Sequence, residues 1–253
     1  KGEWGPGQEE LNLAHQEPVL MADHHSLFKH GTKEVAALMG MAATFMAKWN
    51  TGFAGNSCHI HSSLWDAKSG EPLGWDPKGP AHMSKKLQQW VAGQLALGGD
   101  LSVFYAPYVN SYRRYQAGSF APTRLVAGVD NRTCGLRILG HSAKGIRAEN
   151  RCPGADANPY LAFAATIAAG LHGIEQELKF EGIYTGNAYA DPKVREVPKT
   201  LYEAIVMLER SKSARAAFGD VVVDHYVNTA RQEQAVYDRR VTDLDLLRNF
   251  ERA

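Results

Sequence analysis

The chain has 253 residues and a formal net charge of +1, with 44% hydrophobic and 22% charged residues. This length allows a sizeable core, and the near-neutral charge argues against a general nucleic-acid binder or a membrane-surface protein. No apolar run reaches the roughly 18 residues of a membrane span. Three cysteines without CxxC spacing (Cys58, Cys134 and Cys152) fit a reducing compartment. We therefore expect a cytoplasmic protein whose partners include neither nucleic acid nor membrane.

The first segment of interest is acidic and surrounds a glycine–proline turn. Gly5-Pro6-Gly7 forces an irregular turn or bulge, because glycine permits unusual backbone angles and proline fixes one. A bulge can bring Glu3 and Glu10 onto one face, although their odd spacing would separate them on a plain strand. A solvated acidic hairpin is the alternative interpretation.

The next segments predict a helix followed by a strand. From Thr32, a candidate N-cap, to Trp49, apolar residues recur at three-to-four spacing, which predicts a helix with its methionines in the core. On the strand that follows, His59, His61 and Ser63 share one face. His-x-His presents two imidazoles to a metal or a phosphate, although two core histidines would give the same pattern.

Helical periodicity predicts further helices at about 84–97, 158–178, 200–211 and 221–249, with loops at 67–79 and 180–199. Gly98-Gly99 ends the first of these helices. The second opens on Asn158-Pro159, a good N-cap and first-turn pair. Its apolar surface extends nearly all round, so we expect a buried scaffold helix beside the charged strand described next.

Positive charge is concentrated between Arg113 and Arg151, where seven Arg and one Lys face two acids, Asp130 and Glu149. A local surplus in a nearly neutral protein implies a focused anion site. Because the arginines are scattered through strand-like apolar sequence, a phosphate pocket is favoured over an exposed nucleic-acid patch. On a strand, Arg147, Glu149 and Arg151 point to one face. One carboxylate between two guanidiniums suits a site for a metal ion or a polyanion, and a solvated charge ladder is the alternative.

Four side chains are candidate metal ligands: Glu3, Glu10, His59 and Glu149. Carboxylates with an imidazole suit Mg²⁺ or Mn²⁺ rather than structural zinc, which would require cysteines. Divalent metals beside an arginine cluster are what phosphoryl transfer requires. The sequence has no Walker or kinase-type glycine loop, so a nucleotide would have to be held in another way.

Four blocks in order resemble the catalytic region of class I glutamine synthetases. They are E-x-x-P-G-Q-x-E at Glu3–Glu10, H-x-H-x-S-L at His59–Leu64, N-S-Y-x-R…A-P…N-R-x-x-x-x-R at Asn110–Arg137, and R-x-E-x-R-x-P…N-P-Y-L-A-F-A-A at Arg147–Ala165. The resemblance covers residues 3–180 well. It implies an α+β fold, an antiparallel sheet packed with helices, in one catalytic domain over residues 1–253. It also implies that the family's small N-terminal β-grasp domain and first metal-ligand strand are missing from this sequence.

The resemblance implies an ATP-dependent ligase that uses Mg²⁺ or Mn²⁺. A glutamate γ-carboxylate attacks the terminal phosphate of ATP, and an amine then displaces phosphate from γ-glutamyl phosphate. By motif position, Glu3 and Glu10 resemble ligands of one metal, while His59 and Glu149 resemble ligands of the second. The remaining assignments are nucleotide contacts at His61, Ser63, Arg137 and Arg147, glutamate-site residues Gly55, Arg114 and Arg151, and stabilisation of the transferring phosphoryl group at Arg132. The family also implies a homo-oligomer, commonly a dodecamer of two hexameric rings.

Two departures from the family pattern concern the substrates. Glutamine synthetases carry an acidic residue just before Ala-Pro, which attracts ammonium and removes its proton, and here that position is Phe120. A phenyl ring cannot bind ammonium through charge, but it can line an apolar pocket for the carbon skeleton of an amine. The family also usually has Asn at the position of Ala54 in the glutamate site.

The motif N-S-Y-x-R-Y-x-x-G-S-F-A-P at Asn110–Pro122, followed by D-N-R-T-C at Asp130–Cys134, resembles the γ-glutamyl-amine ligase branch, whose acceptors are polyamines, alkylamines or related amines. An ordinary glutamine synthetase with a displaced ammonium site is the second hypothesis. A catalytically silent structural or regulatory relative is the third, and the many costly arginines retained at the site argue against it.

Overall fold

The computed structural model of the chain describes residues 1–252, and most of the regular structure in that range is helical. Its α-helices are α1 (Pro18–Leu38), α2 (Lys85–Leu97), α3 (Ser102–Tyr105), α4 (Val109–Tyr112), α5 (Pro159–Glu175), α6 (Leu201–Arg210), α7 (Lys212–Phe218), α8 (Asp220–Asp238) and α9 (Asp243–Asn249). Short 3₁₀ turns lie at Pro80–His82 and Ala188–Ala190. No helix within residues 1–252 combines the length and the apolar character needed to cross a membrane.

One small sheet carries the charged motifs. Its strands are β1 (Ile60–Ser62), β2 (Ala127–Val129), β3 (Leu136–Leu139) and β4 (Arg147–Asn150), in the spatial order β1-β4-β3-β2. The register pairs Glu149 on β4 with His61 on β1 and with Arg137 on β3. Three residues from distant motifs therefore meet across adjacent strands.

The α+β fold class is confirmed, but the sheet is mixed rather than antiparallel. β4 runs antiparallel to both neighbours, whereas β2 and β3 run parallel. Residue alternation assigns a strand and its two faces, but it carries no information about the direction of the neighbouring strand. The prediction of a wholly antiparallel sheet was wrong for this reason.

Helices α2 and α5 form the scaffold behind the sheet. They approach so closely that a Cβ at Gly93 would lie 2.0 Å from Ala169 O, and one at Gly173 would lie 2.0 Å from Gln89 O. Ser84 caps α2 by accepting from Leu87 N, and Asn158 caps α5 by accepting from Tyr160 N. The predicted buried scaffold helix is confirmed, with small residues of α5 fully buried against α2 and the core.

The predicted helix from Thr32 to Trp49 was wrong in its bounds, and Met39 and Met46, which were expected in the core, are 66% and 46% exposed. The helix in this region is α1, which begins at Pro18 and ends at Leu38, and residues 41–59 are irregular. The apolar spacing continues past Gly40, but Gly40 has a φ of +69°, a left-handed conformation that stops a helix. Pro18, at the first helical position, is the start signal that the apolar pattern obscured.

The predicted helical segments at the C-terminal end are confirmed in outline. Thr200 caps α6, but a separate helix, α7, follows it, capped by Ser211. The predicted 221–249 segment is divided into α8 and α9, because Thr242 begins a new helix with a capping box to Asp245.

Candidate active site

Glu149 lies at the centre of a buried charge cluster on β4. Its side chain is 3% exposed, and Oε1 lies 3.0 Å from His59 Nδ1. Arg151 Nη1 donates to Oε1 at 2.8 Å, and Arg137 Nη1 donates to Oε2 at 3.2 Å. Glu149 and Arg151 of the R-x-E-x-R strand are therefore buried in an ion-pair network, with Arg137 of β3 as the second arginine, whereas Arg147 is half-buried and bonds His61 instead.

The cluster fixes the protonation states of its acid and its imidazoles. Burial opposes ionisation of Glu149, but His59, Arg151 and His61 outweigh it and lower the pKa of that carboxyl from 4.5 to about 2. Burial lowers the pKa of His59 from 6.5 to about 4, and it also lowers the pKa of His61. At neutral pH the site thus holds an ionised carboxylate and neutral imidazoles, which are the forms that bind metal ions.

A second ring of polar contacts surrounds this centre. Arg137 Nε donates to Asp130 Oδ1 at 2.9 Å, so Arg137 bridges an exposed and a buried carboxylate. Arg147 Nε donates to His61 Nδ1 at 3.1 Å. The structure therefore brings three of the four predicted nucleotide contacts to the edge of the Glu149 cluster. The fourth, Ser63, accepts from Trp65 Nε1 at 2.9 Å.

The turn predicted at Gly5-Pro6-Gly7 closes a short hairpin at the start of the chain. Glu3 N donates to Gln8 O at 2.9 Å, and the backbone bridge between Gly2 and Glu9 closes the turn. A hydrogen bond between the two carboxyl groups raises the pKa of Glu3 and lowers that of Glu10 to about 2. The Gly-Pro-Gly turn thus does bring Glu3 and Glu10 together, as expected.

One side chain attaches this hairpin to the rest of the site. Gln8 Nε2 donates to Gly55 O at 3.0 Å and to Asn56 Oδ1 at 2.7 Å. Gln8 Oε1 also accepts from Gly5 N at 2.9 Å, which ties the turn to the same amide. The acidic pair is therefore positioned against the loop that precedes β1.

The two donor pairs fit divalent cations. Neighbouring ligands of an octahedral Mg²⁺ lie about 3 Å apart, and His59 Nδ1 and Glu149 Oε1 are 3.0 Å apart. The contact with Glu10 raises the pKa of Glu3, as expected for two carboxyl groups without a cation between them. Within residues 1–252, no three His, Cys, Asp or Glu side chains are arranged to hold a metal ion. Two protein donors for each ion match Mg²⁺, which usually completes its shell with water and phosphate oxygens.

The predicted glutamate-site residues are in contact with one another. Arg114 is 2% exposed, and its Nη1 donates to Ser57 Oγ at 3.0 Å. Its Nη2 donates to the backbone oxygens of Arg151 and Cys152. A Cβ at Gly55 would lie 2.6 Å from Arg114 Cγ, so glycine is required for this close approach. The Nε atoms of Arg114 and Arg151 are buried without a hydrogen-bond partner within residues 1–252.

Arg132 lies apart from this network. It is exposed on the turn after β2 and lines an open cavity of about 510 Å³ between that turn and residues 183–186. It takes part in no hydrogen bond or ion pair with other residues in the 1–252 range. The structure therefore leaves its guanidinium free to meet an anion, while the assignment to the phosphoryl group stays a prediction.

Phe120 follows the arginine-rich segment in an unusual backbone conformation. Its φ is +58°, a region that side chains larger than glycine rarely adopt. Arg151 Nη2 donates to Phe120 O at 2.9 Å, so the Glu149 cluster holds this turn directly. The ring is 45% exposed and contacts Trp4 of the hairpin edge to face, at a centroid distance of 5.7 Å.

Sequence reasoning missed three contributors to the site: Gln8, Asp130 and Trp4. Gln8 and Asp130 belong to the quoted motifs, so the sequence marked them, but their roles became clear only from their contacts with Gly55, Asn56 and Arg137. Trp4 carried none, because its partner Phe120 lies far away in the sequence.

The comparison with known families gives one match over nearly the whole chain: residues 1–249 match the model of the glutamine synthetase catalytic domain. Among solved structures, a GmaS–ADP complex superposes with a TM-score of 0.84 at 29% identity, covering 93% of this chain and 55% of that one.

Curated relatives with two kinds of name resemble the chain. A γ-glutamylethanolamide synthetase of Streptomyces coelicolor is 50% identical over 252 residues, which cover 100% of this chain and 53% of that protein. A glutamate–isopropylamine ligase of a Pseudomonas species is 40% identical over 88% of this chain and 49% of its own length. A type-1 glutamine synthetase of Dictyostelium discoideum is 41% identical over 98% of this chain and 48% of its own length. The chain thus spans about half the length of these relatives.

Proposed function

The chain belongs to the glutamine synthetase catalytic-domain family, and from this premise we propose that the protein is a glutamate–amine ligase. It joins the γ-carboxylate of glutamate to an organic amine at the expense of ATP, through γ-glutamyl phosphate. The single observation that carries the proposal is Phe120, an apolar side chain that faces solvent where glutamine synthetases carry an acid. The names of two relatives, an ethanolamide synthetase and an isopropylamine ligase, support the same direction.

The phosphoryl end of the site is built from the sheet. When bound, Mg²⁺ or Mn²⁺ would neutralise and position the phosphates of ATP. Glu3 with Glu10, and His59 with Glu149, would hold the two ions. Arg137 and Arg147 present guanidiniums at the border of the cluster, where fixed positive charge stabilises the negative charge that develops during transfer. Because Glu149 already pairs with two arginines, these donors are oriented before the substrates bind.

The remaining arginines would serve the other substrate groups. Arg114 and Arg151 would bind the carboxylates of glutamate, as their motif positions imply. Arg132 would meet the transferring phosphoryl group from its open cavity. These roles follow the motif positions, and substitution of each arginine by lysine tests them, because a lysine ammonium cannot reproduce a bidentate contact.

The amine end lacks the charge that ammonium requires. Phe120 has no carboxylate to attract NH₄⁺, whereas its exposed ring favours the carbon skeleton of a larger amine. Each CH₂ group buried from water contributes about 0.8 kcal/mol. An amine with two or three carbons therefore gains binding free energy from burial of its CH₂ groups, and ammonium, which has no carbon, does not.

The test is phosphate release from Mg-ATP and glutamate by the full-length protein, with ammonium, ethanolamine, isopropylamine, putrescine, spermidine and aniline in parallel. The proposal predicts stimulation by at least one organic amine in excess of that by ammonium. Stimulation by ammonium alone would identify a glutamine synthetase instead. No stimulation by any amine, together with no binding of Mg-ATP in calorimetry, would favour a catalytically silent relative.

We also infer that the protein is a cytoplasmic homo-oligomer, arranged as the family's dodecamer of two hexameric rings. The support is that α9 carries large apolar side chains in solvent, including Leu247 at 84% and Phe250 just after it at 81% exposure. Exposed apolar surface of this kind is typical of an interface. The three cysteines are free thiols, which suits the cytoplasm. Native mass spectrometry tests the assembly: a twelve-subunit mass is expected, and a monomer would contradict it.

A further inference from the structure

Two large aromatic side chains meet in solvent at the edge of the site. The rings of Trp4 and Phe120 lie at 73° to one another with centroids 5.7 Å apart. Trp4 is nonetheless 75% exposed and Phe120 is 45% exposed. Exposing this much aromatic surface costs free energy, so a pair that stays open to water has surface available for a ligand.

Hydrogen bonds from residues of the site fix the backbone at both aromatic residues. The backbone N of Trp4 donates to Glu3 Oε2 at 3.0 Å, and Gln8 fastens the same hairpin to Gly55. Phe120 O accepts from Arg151 Nη2, and the next carbonyl, that of Ala121, accepts from Tyr189 Oη at 3.0 Å. These bonds hold Phe120 in its left-handed conformation, so the strained turn directs its ring towards Trp4.

The chemistry of this corner suits an alkylammonium ion. Aromatic faces attract a cation through the ring quadrupole and also pack against apolar carbon, and indole is the strongest of the three ring types. The two rings contact each other edge to face, and their solvent-exposed surfaces lie side by side where a short carbon chain can pack against both.

We propose that Trp4 and Phe120 form the two walls of the amine subsite, with Trp4 a specificity-determining residue that selects primary alkylammonium ions over ammonium. This inference rests on the proposed ligase function and deepens it. The occupant is a short primary amine, protonated in water, whose carbon atoms contact both rings. Ammonium has no carbon skeleton, so it gains no apolar contact from either wall.

Steady-state kinetics of the full-length protein test the role of Trp4 as a wall of the amine subsite. Trp4→Ala is expected to raise the KM for ethylamine and isopropylamine by about 10-fold, while the KM values for glutamate and ATP change less than about 2-fold. Trp4→Phe keeps an aromatic face and should restore most of the amine affinity. Trp4→Leu keeps apolar volume without a quadrupole and should fall between the two. The matched control is Tyr202→Ala, which removes a 66% exposed aromatic ring from α6 and should change none of these constants.

The outcomes separate this inference from the function on which it rests. If the unaltered protein responds to no organic amine, the ligase proposal itself fails. If it responds, but the KM for the amine is unchanged in Trp4→Ala, the ligase proposal stands and the role of Trp4 in the amine subsite is refuted. A parallel rise in the KM for glutamate and ATP would mean that Trp4 only stabilises the hairpin, which also refutes it. Should Trp4→Ala fail to fold, equal amine KM values for Trp4→Phe and Trp4→Leu would refute a role for the aromatic face.

Discussion

The two ends of the candidate site are built in opposite ways. The Glu149 cluster is buried on a central strand, and each carboxylate oxygen has a charged partner. The Trp4–Phe120 corner lies in solvent, on a hairpin at the start of the chain and on a strained turn. A buried charged network tolerates little change, because removal of one partner leaves another uncompensated. An exposed corner can exchange side chains at small cost in stability.

This difference explains how one family can keep its phosphoryl chemistry and vary its amine. The side chains that would bind ions and phosphates are fixed by strand register, which pairs Glu149 with His61 and Arg137. The side chains that would contact the amine depend on a hairpin attached mainly through Gln8. Substitutions in the Glu149 cluster should therefore lower activity and stability together. Substitutions in the Trp4–Phe120 corner should change activity with little change in stability.

The largest effect is expected for Glu149→Gln. The amide cannot neutralise Arg137 and Arg151, so we expect a loss of about 3–5 kcal/mol in the free energy of unfolding and at least about a 100-fold loss of activity. Urea unfolding and the phosphate-release assay measure both. The control is Glu209→Gln, which breaks an exposed pair with Arg231 at 2.7 Å and should cost about 0.2–1 kcal/mol. Equal losses of unfolding free energy in Glu149→Gln and Glu209→Gln would show that the buried cluster is no more sensitive than an exposed ion pair.

The next largest effect is expected for Gly55→Ala. The new Cβ would lie 2.6 Å from both Ala47 O and Arg114 Cγ, so the buried guanidinium must shift. We expect a loss of about 1–3 kcal/mol in stability, as for other overpacked sites, with a raised KM for glutamate. Gly52→Ala in the same loop is the control, because its Cβ would meet only Asn50 Oδ1 at 3.5 Å. A Gly55→Ala protein with unchanged stability would mean that Arg114 is not confined by this contact.

A smaller and more local effect is expected for Gln8→Ala. The variant loses the hydrogen bonds to Gly55 O and Asn56 Oδ1, and each such bond contributes about 0.5–1.5 kcal/mol. The hairpin should become more sensitive to protease and to hydrogen exchange, while the midpoint of global unfolding moves little. Glu9→Gln, which alters an exposed acid of the same hairpin, should leave both unchanged. Unaltered exchange of the hairpin amides in Gln8→Ala would show that other contacts hold it.

The smallest effect is expected for Asp130→Asn. This carboxylate is 69% exposed and binds the outer side of Arg137, whose inner side stays paired with Glu149. We expect a loss of less than about 1 kcal/mol, because exposed ion pairs contribute little. Urea unfolding of Asp130→Asn beside Glu149→Gln compares the two ends of one arginine bridge. An equal loss of unfolding free energy in Asp130→Asn and Glu149→Gln would contradict the distinction between the exposed and the buried partner of Arg137.

Much of the sheet and its site could be predicted from the sequence, because motifs with period two fix which side chains share a face. This period predicted that His59 and His61 share one face and that Arg147 and Glu149 share another, whereas the meeting of the two faces depends on the pairing of β1 with β4 and was implied only by the resemblance. The direction of β2 relative to β3 could not be predicted, since it depends on hydrogen bonds between strands. The end of α1 at Leu38 was missed because the apolar spacing continues past the glycine that stops the helix. The Trp4–Phe120 contact was beyond prediction, since no local pattern joins residues so distant in the chain.

The central claim is that the exposed aromatic corner selects an organic amine, and one competition experiment tests it most directly. The full-length protein receives Mg-ATP, glutamate and equal concentrations of ammonium and ethylamine, and mass spectrometry measures the ratio of the two amide products. The account predicts mainly γ-glutamylethylamide, and a shift towards glutamine in Phe120→Glu, which restores an acid at that position. Glutamine as the main product of the unaltered protein would contradict the account.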